Sequence, residues 1–233
     1  WIDKGAGGNI ALLTCPSNNS RIYACSGPDV NIKLLGGTQC WRSDFGGDSW
    51  ENLNLSPGYP DPSTEPHVTD MAVSPVNSNL VWLTVGGYTS GKKVYYSGNA
   101  GDNWTNISGS LPNVATTAIE IDNNSNAYVG TDAGVFYRAW GASDWVPYYN
   151  GLPRAPISDL VINESAGLIR AAVYGRGVFQ STLYSDCIPT LSLAGAITGI
   201  KYYEASSTVG STQNIVGASG TEVYYKAGGS ITM

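Results

Sequence analysis

The sequence is poor in charge: 13% of its 233 residues are charged, one is a histidine, and the formal net charge is −6. A chain with this balance cannot neutralise several phosphates, which argues against nucleic acid as a partner. No stretch approaches the roughly 18–20 apolar residues that a membrane-spanning helix needs. A single histidine and four cysteines without a C-x-x-C spacing argue against a zinc site. We therefore expect no metal, no nucleic acid and no membrane span.

Phosphate-binding motifs are also missing. The glycine pairs at 36–37 and 86–87 are followed by neither a helical pattern nor a Lys-Ser/Thr pair, so they are loop glycines and predict no nucleotide cofactor. The sequence is instead rich in glycine, with 29 copies, and in aromatic residues, at 11%. This composition is typical of short strands joined by turns.

A repeat runs through most of the chain. Residues 40–50, 94–104 and 135–145 align without a gap, and each segment reads as a strand, a turn and a tryptophan. Trp1 opens a segment similar to those that follow the three later tryptophans, which gives tryptophan spacings of 49, 54 and 41 residues. Periods of this length indicate a propeller or a solenoid. Because Trp1 stands inside a repeat, we expect the chain to be part of a larger polypeptide.

Each repeat predicts four short strands. β-rich runs begin at residues 10, 68, 116 and 157, and each is followed by a polar turn, a second strand, a glycine-bearing loop and a third strand. A fourth strand begins at the tryptophan, so one repeat is one antiparallel propeller blade. No tryptophan-led strand follows the last run, at 177–183. We expect unpaired sheet edges and, for residues 1–233 alone, association or insolubility.

The three tryptophan turns, defined here as residues 43–50, 97–104 and 138–145, resemble the Asp-box, or bacterial neuraminidase repeat, with the pattern Ser-x-Asp-x-Gly-x-Thr-Trp. The positions that match are Ser43, Gly47, Trp50, Ser97, Gly101, Trp104 and Trp145. The Asp position holds Phe45, Asn99 and Trp140 instead. The resemblance implies a structural turn in which glycine adopts positive φ and tryptophan packs beneath the blade. Without the carboxylate, the turns are predicted to bind no metal.

The chain changes character near residue 186. Residues 190–233 carry almost no charge and contain a shorter repeat, in which 202–209 matches 224–231 with a period of 22 residues. Stacked short strands at this spacing predict a β-solenoid-like module. The segment resembles the coat-hanger-stack modules that follow propellers in secreted Bacteroidetes-type proteins. The predicted fold is all-β: the C-terminal part of a larger propeller over 1–185, then a truncated solenoid-like or sandwich module over 186–233.

Cys25 and Cys40 flank a loop symmetrically, as antiparallel partners on the second and third strands would. A cross-strand disulfide is one interpretation, and two reduced, buried cysteines are the other. The sequence is rich in Asn, Ser, Thr and Gly and low in Lys, which fits an extracellular protein, where disulfides persist.

Three residues are candidates for ligand binding. Asp70 and Asp159 share one position of the first strand, which lines the channel, and Ala11 and Ala118 hold it in the other blades. Arg176 lies in a loop between the second and third strands. The alternative for the two carboxylates is a bond to neighbouring backbone or hydroxyl groups. Aromatic residues that belong either to a sugar-stacking surface or to the core are Tyr59, Trp82, Tyr88, Trp140, Tyr148 and Tyr149.

The resemblance implies a non-catalytic secreted or cell-surface protein, exported by the type IX route, that binds glycan or protein ligands. Its other expected partners are the secretion machinery and further parts of the same polypeptide. Asp-box propellers also include sialidases and xyloglucanases. The alternative is therefore a glycan-active hydrolase whose catalytic residues lie partly in blades outside this sequence.

Overall fold

The computed structural model describes residues 10–14, 18–26, 39–61, 67–184, 190–193, 196–197, 200–205, 208–211, 214–215, 222–227 and 230–232. The chain divides into two compact units, 1–183 and 184–233. Trp1, Cys15 and Cys187 lie outside the described residues. Within them, strands and turns are interrupted only by two single-turn 3₁₀ helices, Leu53–Leu55 and Glu164–Ala166. No helix in these ranges is long and apolar enough to cross a membrane.

The first unit consists of four antiparallel sheets, which confirms the predicted propeller blades. Blade 1 contains β1 (Ile10–Thr14), β2 (Ile22–Ser26), β3 (Cys40–Ser43) and β4 (Glu51–Asn52). Blade 2 contains β5 (Val68–Val73), β6 (Val81–Val85), β7 (Val94–Ser97) and β8 (Thr105–Asn106). Blade 3 contains β9 (Thr116–Ile121), β10 (Ala127–Thr131), β11 (Gly134–Arg138) and β12 (Val146–Pro147). Blade 4 contains β13 (Ile157–Asn163), β14 (Leu168–Val173) and β15 (Gly177–Thr182).

The first strands of successive blades are neighbours, β1 beside β5, β5 beside β9 and β9 beside β13. They are therefore the inner strands of the propeller. Each of them carries a β-bulge, which shifts the register by one residue near its start. The bulges give Leu12, Asp70, Ala118 and Asp159 the same place in their blades. Our assignment of Ala11 to this position is wrong: the bulge lies at the same place in all four strands, and the residue two positions after Ile10 is Leu12.

Apolar side chains fill the space between successive blades. One cluster joins blades 1 and 2 and includes Tyr23, Leu83 and Trp104. A second joins blades 2 and 3 and includes Trp82, Ile119 and Trp145. Each fully buried large apolar side chain contributes roughly 1.5–3 kcal/mol, so these two clusters carry much of the stability of the first unit.

The tryptophan turns are held by a serine hydroxyl in the first two blades. Ser43 Oγ accepts hydrogen bonds from the amides of Phe45 (3.3 Å) and Gly47 (2.8 Å). Ser97 Oγ accepts from the amides of Asn99 (3.3 Å) and Gly101 (2.8 Å) in the same way. Gly47 and Gly101 have φ of 93° and 97°, a region that L side chains rarely adopt. The third turn has Arg138 at the serine position and lacks this bond.

Two of the tryptophans attach their blade to the preceding one. Trp145 Nε1 donates to the carbonyl of Ile107 at 2.7 Å, at the outer strand of blade 2. The amide of Trp104 donates to the carbonyl of Pro57 at 2.8 Å, in the link that leaves blade 1. Both indoles are buried, whereas Trp50 is half-buried. The turn therefore fixes the angle between blades as well as the hairpin.

Cys25 and Cys40 are register partners on β2 and β3, and the structure joins them by a disulfide with a Cα–Cα distance of 4.1 Å. Both side chains are fully buried in the cluster between blades 1 and 2. The disulfide therefore fixes the face of blade 1 that blade 2 covers.

The second unit is built from parallel strands. Its strands are β16 (Thr190–Leu193), β17 (Ala196–Ile197), β18 (Ile200–Ala205), β19 (Thr208–Ser211), β20 (Asn214–Ile215), β21 (Glu222–Ala227) and β22 (Ser230–Thr232). Tyr202 pairs with Tyr224 and Val209 with Ile231, which is the predicted period of 22 residues. β16 pairs with β19 and β17 with β20 at a spacing of 18 residues. Stacked parallel pairs of this kind confirm the solenoid-like module.

Candidate functional site

Three carboxylates lie on the inner strands of three successive blades: Asp70 on β5, Glu120 on β9 and Asp159 on β13. Both aspartates raise the pKa of Glu120 by their charge, so the three groups interact. The structure thus brings two predicted ligand residues near a third acid that the sequence analysis missed. Glu120 follows Ala118 by two residues, and the period-two alternation of a strand places both on one face. That alternation could have identified it.

Asp70 binds backbone with both of its oxygens. Oδ1 accepts from the amide of Met71 and Oδ2 from the amide of Ile119, each at 2.8 Å. The first bond lies within blade 2 and the second reaches blade 3, so the carboxylate links two blades. Burial raises its pKa to about 6, although both amides act in the opposite direction. This geometry fits the structural alternative that the sequence left open for Asp70.

Asp159 repeats half of this arrangement. Its Oδ1 accepts from the amide of Leu160 at 2.9 Å, as Asp70 does with Met71. The side chain is exposed, whereas Asp70 is half-buried. Oδ2 therefore remains accessible to another group.

The pKa of Glu120 is also raised. Burial, followed by the charges of Asp70 and Asp159, raises its pKa to about 7. A carboxyl group with this pKa is partly protonated at neutral pH, and can therefore donate a proton.

Arg176 lies in the exposed hairpin between β14 and β15, and its amide donates to the carbonyl of Val173 at 2.9 Å. Its guanidinium forms no hydrogen bond or ion pair with the three carboxylates of the described inner strands. Among the described residues, no group of three His, Cys, Asp or Glu side chains is placed to hold a metal ion.

The candidate aromatic residues separate into core and surface. Trp82 is buried, Tyr59 packs against the core between blades 1 and 2, and Tyr148 is half-buried. Trp140 is exposed at the third tryptophan turn, where its ring meets that of Trp82 edge-on at 6.1 Å. Tyr88 and Tyr149 are exposed at the opposite end of the blades, which carries the loops between second and third strands. We call this end the hairpin face.

Tyr88, Asp132 and Tyr149 lie on the hairpin face and are here named the tyrosine platform. The Tyr88 hydroxyl of blade 2 donates to Asp132 Oδ2 of blade 3 at 2.8 Å. Tyr149 lies over Gly134, where an added Cβ would be 2.8 Å from the Cβ of Tyr149. Lys93 is buried, and its Nζ donates to the carbonyl of Gly87 at 2.7 Å. These contacts hold the Tyr88 hydroxyl of blade 2 against the Asp132 carboxylate of blade 3 and place Tyr149 over Gly134 of the same hairpin.

Glu120→Gln is expected to flatten the pH dependence of stability. The folded pKa of Glu120, about 7, lies above its ordinary value. Its stabilising contribution is therefore present below pH about 4.5 and lost as the pH rises through about 7. After a discount for solvent screening, the free energy of unfolding should fall by about 2 kcal/mol over this pH range. Urea unfolding from pH about 4 to about 8 measures it; equal slopes for variant and wild type would contradict the assignment.

No protein-family model and no curated protein sequence matches the chain. Solved structures do resemble it. The GH74 enzyme of Niastella koreensis has a TM-score of 0.57 at 15% identity, with 75% of this chain and 28% of that chain covered. The GH74 xyloglucanase of Xanthomonas campestris has a TM-score of 0.52 at 13% identity, with 78% of this chain and 30% of that chain covered. An extracellular domain assigned to a one component system of B. thetaiotaomicron has a TM-score of 0.51 at 14% identity, with 81% of this chain and 24% of that chain covered.

This chain spans less than a third of the length of each of these three proteins. These proteins and the first unit of this chain share an arrangement of antiparallel blades. Because the sequence identities are low, the similarity shows the fold alone. The first unit is a β-propeller.

Proposed function

We propose that this chain belongs to a non-catalytic, secreted or cell-surface propeller protein that binds a glycan or protein ligand on its hairpin face. The observation that carries the proposal is the tyrosine platform. Tyr88 is 66% exposed, yet its hydroxyl is bound to Asp132 of the neighbouring blade. A ring that is exposed and already ordered loses little entropy when a ligand binds, which favours binding.

The chemistry of the platform suits a carbohydrate. Tyrosine offers an apolar ring with a polar tip, and the ring can pack against the C–H face of a sugar. Asp132 binds the Tyr88 hydroxyl, and its carboxylate can also accept hydrogen bonds from sugar hydroxyls. The GH74 xyloglucanase that shares this fold is by its name an enzyme of a glycan, which is consistent with a glycan as the ligand. A protein loop rich in backbone amides would use the same groups.

The geometry of Asp70 supports a binding role over a catalytic one. Both of its oxygens accept backbone amides, and a substrate that displaced the Ile119 amide from Oδ2 would break the link between blades 2 and 3. We infer that Asp70 is structural, and that Asp159 and Arg176 are accessible for ligand contacts on blade 4. No cofactor is part of the proposal.

Three features support the proposed location and family. The Cys25–Cys40 disulfide fits an oxidising, extracellular compartment. The serine-held turns with positive-φ glycines fit degenerate Asp-boxes. With the 22-residue repeat of the second unit, they support a Bacteroidetes-type protein exported by the type IX route. Its additional partners would then be the secretion machinery and other parts of the same polypeptide.

Glu120 is the observation that favours the alternative function, a glycan-active hydrolase. Its pKa of about 7 suits a general acid at neutral pH. A glycosidase needs a second carboxylate across the scissile bond, and Asp159 is the accessible candidate. In this alternative, further catalytic groups lie partly in blades outside this sequence.

Tyr88→Ala is expected to weaken ligand binding by about tenfold or more, since central aromatic residues dominate binding sites. Glycan-array screening identifies the ligand, and calorimetry measures its affinity. Phe45→Ala is the matched control, because Phe45 is an exposed aromatic residue, at 69%, in a tryptophan turn at the other end of the blades. Equal losses in both variants, or a ligand that tolerates Tyr88→Ala, would place the binding site elsewhere.

A further inference from the structure

The third tryptophan turn carries an arginine where the first two turns carry a serine. Ser43 and Ser97 are buried, and each accepts hydrogen bonds from two amides of its own turn. Arg138 cannot accept a hydrogen bond, and the amide of Trp140 donates to Asn126 Oδ1 at 2.8 Å instead. The third turn is therefore closed without help from the side chain of Arg138.

The guanidinium of Arg138 is half-buried and forms no hydrogen bond or ion pair with the described residues. Its Nε atom is buried. Asp144 acts on it through its charge, but Asp144 Oδ1 accepts the amides of Ser110 and Trp145, at 2.7 and 2.9 Å. Burial lowers the pKa of Arg138, so the charge of Asp144 does not offset the loss of hydration. A buried donor without an acceptor costs free energy, which a ligand with a suitable acceptor recovers.

Arginines near the first tryptophan turn are paired. Arg21 binds Asp44 at 2.5 Å, and Arg42 binds Asp102 at 2.6 Å. Nε of Arg42 also lacks a hydrogen bond, but the other nitrogens of that guanidinium carry ion pairs. Arg138 differs from both, because the part of the chain that the structure describes offers it no carboxylate at pairing distance.

Trp140 supplies an exposed ring in the same turn. It holds the Asp position and is 49% exposed. Its ring packs edge-on against Trp82 and Tyr96 of blade 2, with centroid distances of 6.1 and 5.5 Å. A ring that is fixed in this way loses little entropy when a ligand packs against its exposed part.

Arg138 and Trp140 lie at the same junction, between blades 2 and 3. In the turn of blade 2 the side chains at the equivalent positions meet, since Ser97 Oγ donates to Asn99 Oδ1 at 2.9 Å. Phe136 precedes Arg138 by two residues, so both are on one face of their strand, and Phe136 packs in the cluster between blades 2 and 3. The ring of Trp140 meets blade 2 from the same side.

We propose that the third tryptophan turn is a second ligand site, which binds an acidic sugar: a pyranose ring that carries a carboxylate or a sulfate group. The anionic group accepts hydrogen bonds from the guanidinium of Arg138, and the C–H face of the ring packs on Trp140. An anion fits better than a hydroxyl group, because hydrogen bonds between two charged groups are the stronger ones. The site lies at the opposite end of the blades from the tyrosine platform and does not depend on the function proposed there.

Calorimetry of the full chain with two matched pairs of probes tests this inference. An oligogalacturonate and its methyl ester test the carboxylate, and a sulfated galactose oligomer and its unsulfated form test the sulfate. Salt at about 0.15 M screens the net charge of the chain, −6. We expect at least one acidic probe to bind about tenfold more tightly than its neutral form. Equal affinities within both pairs, or no binding of any probe, would overturn the inference.

Arg138→Ser removes the cation and restores the serine of the first two turns, so this variant should be at least as stable as the wild type. It should bind the acidic probe about tenfold more weakly and no longer distinguish it from the neutral form. Trp140→Asn, with the residue that blade 2 carries there, should weaken both forms. Phe45→Ala is the control, because Phe45 is exposed at the same turn position beside Ser43. It should leave both affinities unchanged, and circular dichroism confirms that each variant is folded.

Tyr88→Ala separates the new site from the tyrosine platform. This variant should keep its full affinity for the acidic probe, because Tyr88 lies on the hairpin face. Retention in Tyr88→Ala with loss in Arg138→Ser supports the second site even if the platform binds no ligand. Loss in Tyr88→Ala with retention in Arg138→Ser would overturn the inference and assign the acidic sugar to the platform.

Discussion

Gly58→Ala should destabilise the first unit by about 3–5 kcal/mol. Gly58 has a φ of +77°, and a Cβ built there would lie 2.0 Å from the backbone oxygen of Trp104. A backbone atom cannot move aside as a flexible side chain can, so the link around Gly58 must shift. That shift breaks the bond from the Trp104 amide to the Pro57 carbonyl, which adds about 1 kcal/mol to the strain of the left-handed backbone and the overpacking.

Gly46→Ala provides the matched control. Gly46 has a φ of +62°, and nothing lies within 4 Å of the position that its Cβ would occupy. Only the strain of the left-handed backbone remains, so we expect the free energy of unfolding to fall by about 1 kcal/mol. Urea unfolding followed by tryptophan fluorescence measures both variants. Similar losses in the two would show that the close approach between blades 1 and 2 contributes little.

The second large effect is expected for the disulfide. Replacing both Cys25 and Cys40 by alanine should cost about 3 kcal/mol, since the bond closes a loop with a sequence separation of 15 residues. The cysteines are fully buried between blades 1 and 2, so the loss of two sulfur atoms from the core adds to the entropic effect. Thermal unfolding of the wild type and of the double variant, both without reductant, measures the difference in stability.

A reductant provides the control for this variant. It should destabilise the wild type by a similar amount and leave the Cys25→Ala/Cys40→Ala protein nearly unchanged. A double variant as stable as the oxidised wild type would contradict the role assigned to the bond. A stabilising disulfide supports the extracellular location, because such bonds persist in oxidising compartments.

Local chemistry made the blades predictable from sequence. Ser43, Gly47 and their equivalents in blade 2 act within one turn, so a short alignment identifies them. The 22-residue period of the second unit likewise appears directly as the pairing of Tyr202 with Tyr224. The 18-residue spacing of the preceding strands is marked by few identical pairs, Thr190 with Thr208 and Ile197 with Ile215, and the sequence analysis missed it.

Contacts between blades were not predictable in the same way. The partner of Asp70 is the amide of Ile119, 49 residues further on, and any residue type could supply that amide. The partner of Tyr88 is Asp132, 44 residues away, in a hairpin that reads as a simple turn. Glu120 escaped notice because the sequence analysis did not follow the alternation of the strand on from Ala118; its raised pKa, due first to burial and then to the charges of Asp70 and Asp159, required the structure.

The central claim is that this propeller binds its ligand without converting it. The most direct measurement is chromatographic analysis of the glycan bound on the array after incubation with the wild type and with Glu120→Gln, between pH about 5 and about 8, where the Glu120 carboxyl would change charge. We expect both proteins to bind the glycan and to release it intact at every pH. Cleavage by the wild type that is lost in Glu120→Gln would contradict the claim and establish the hydrolase.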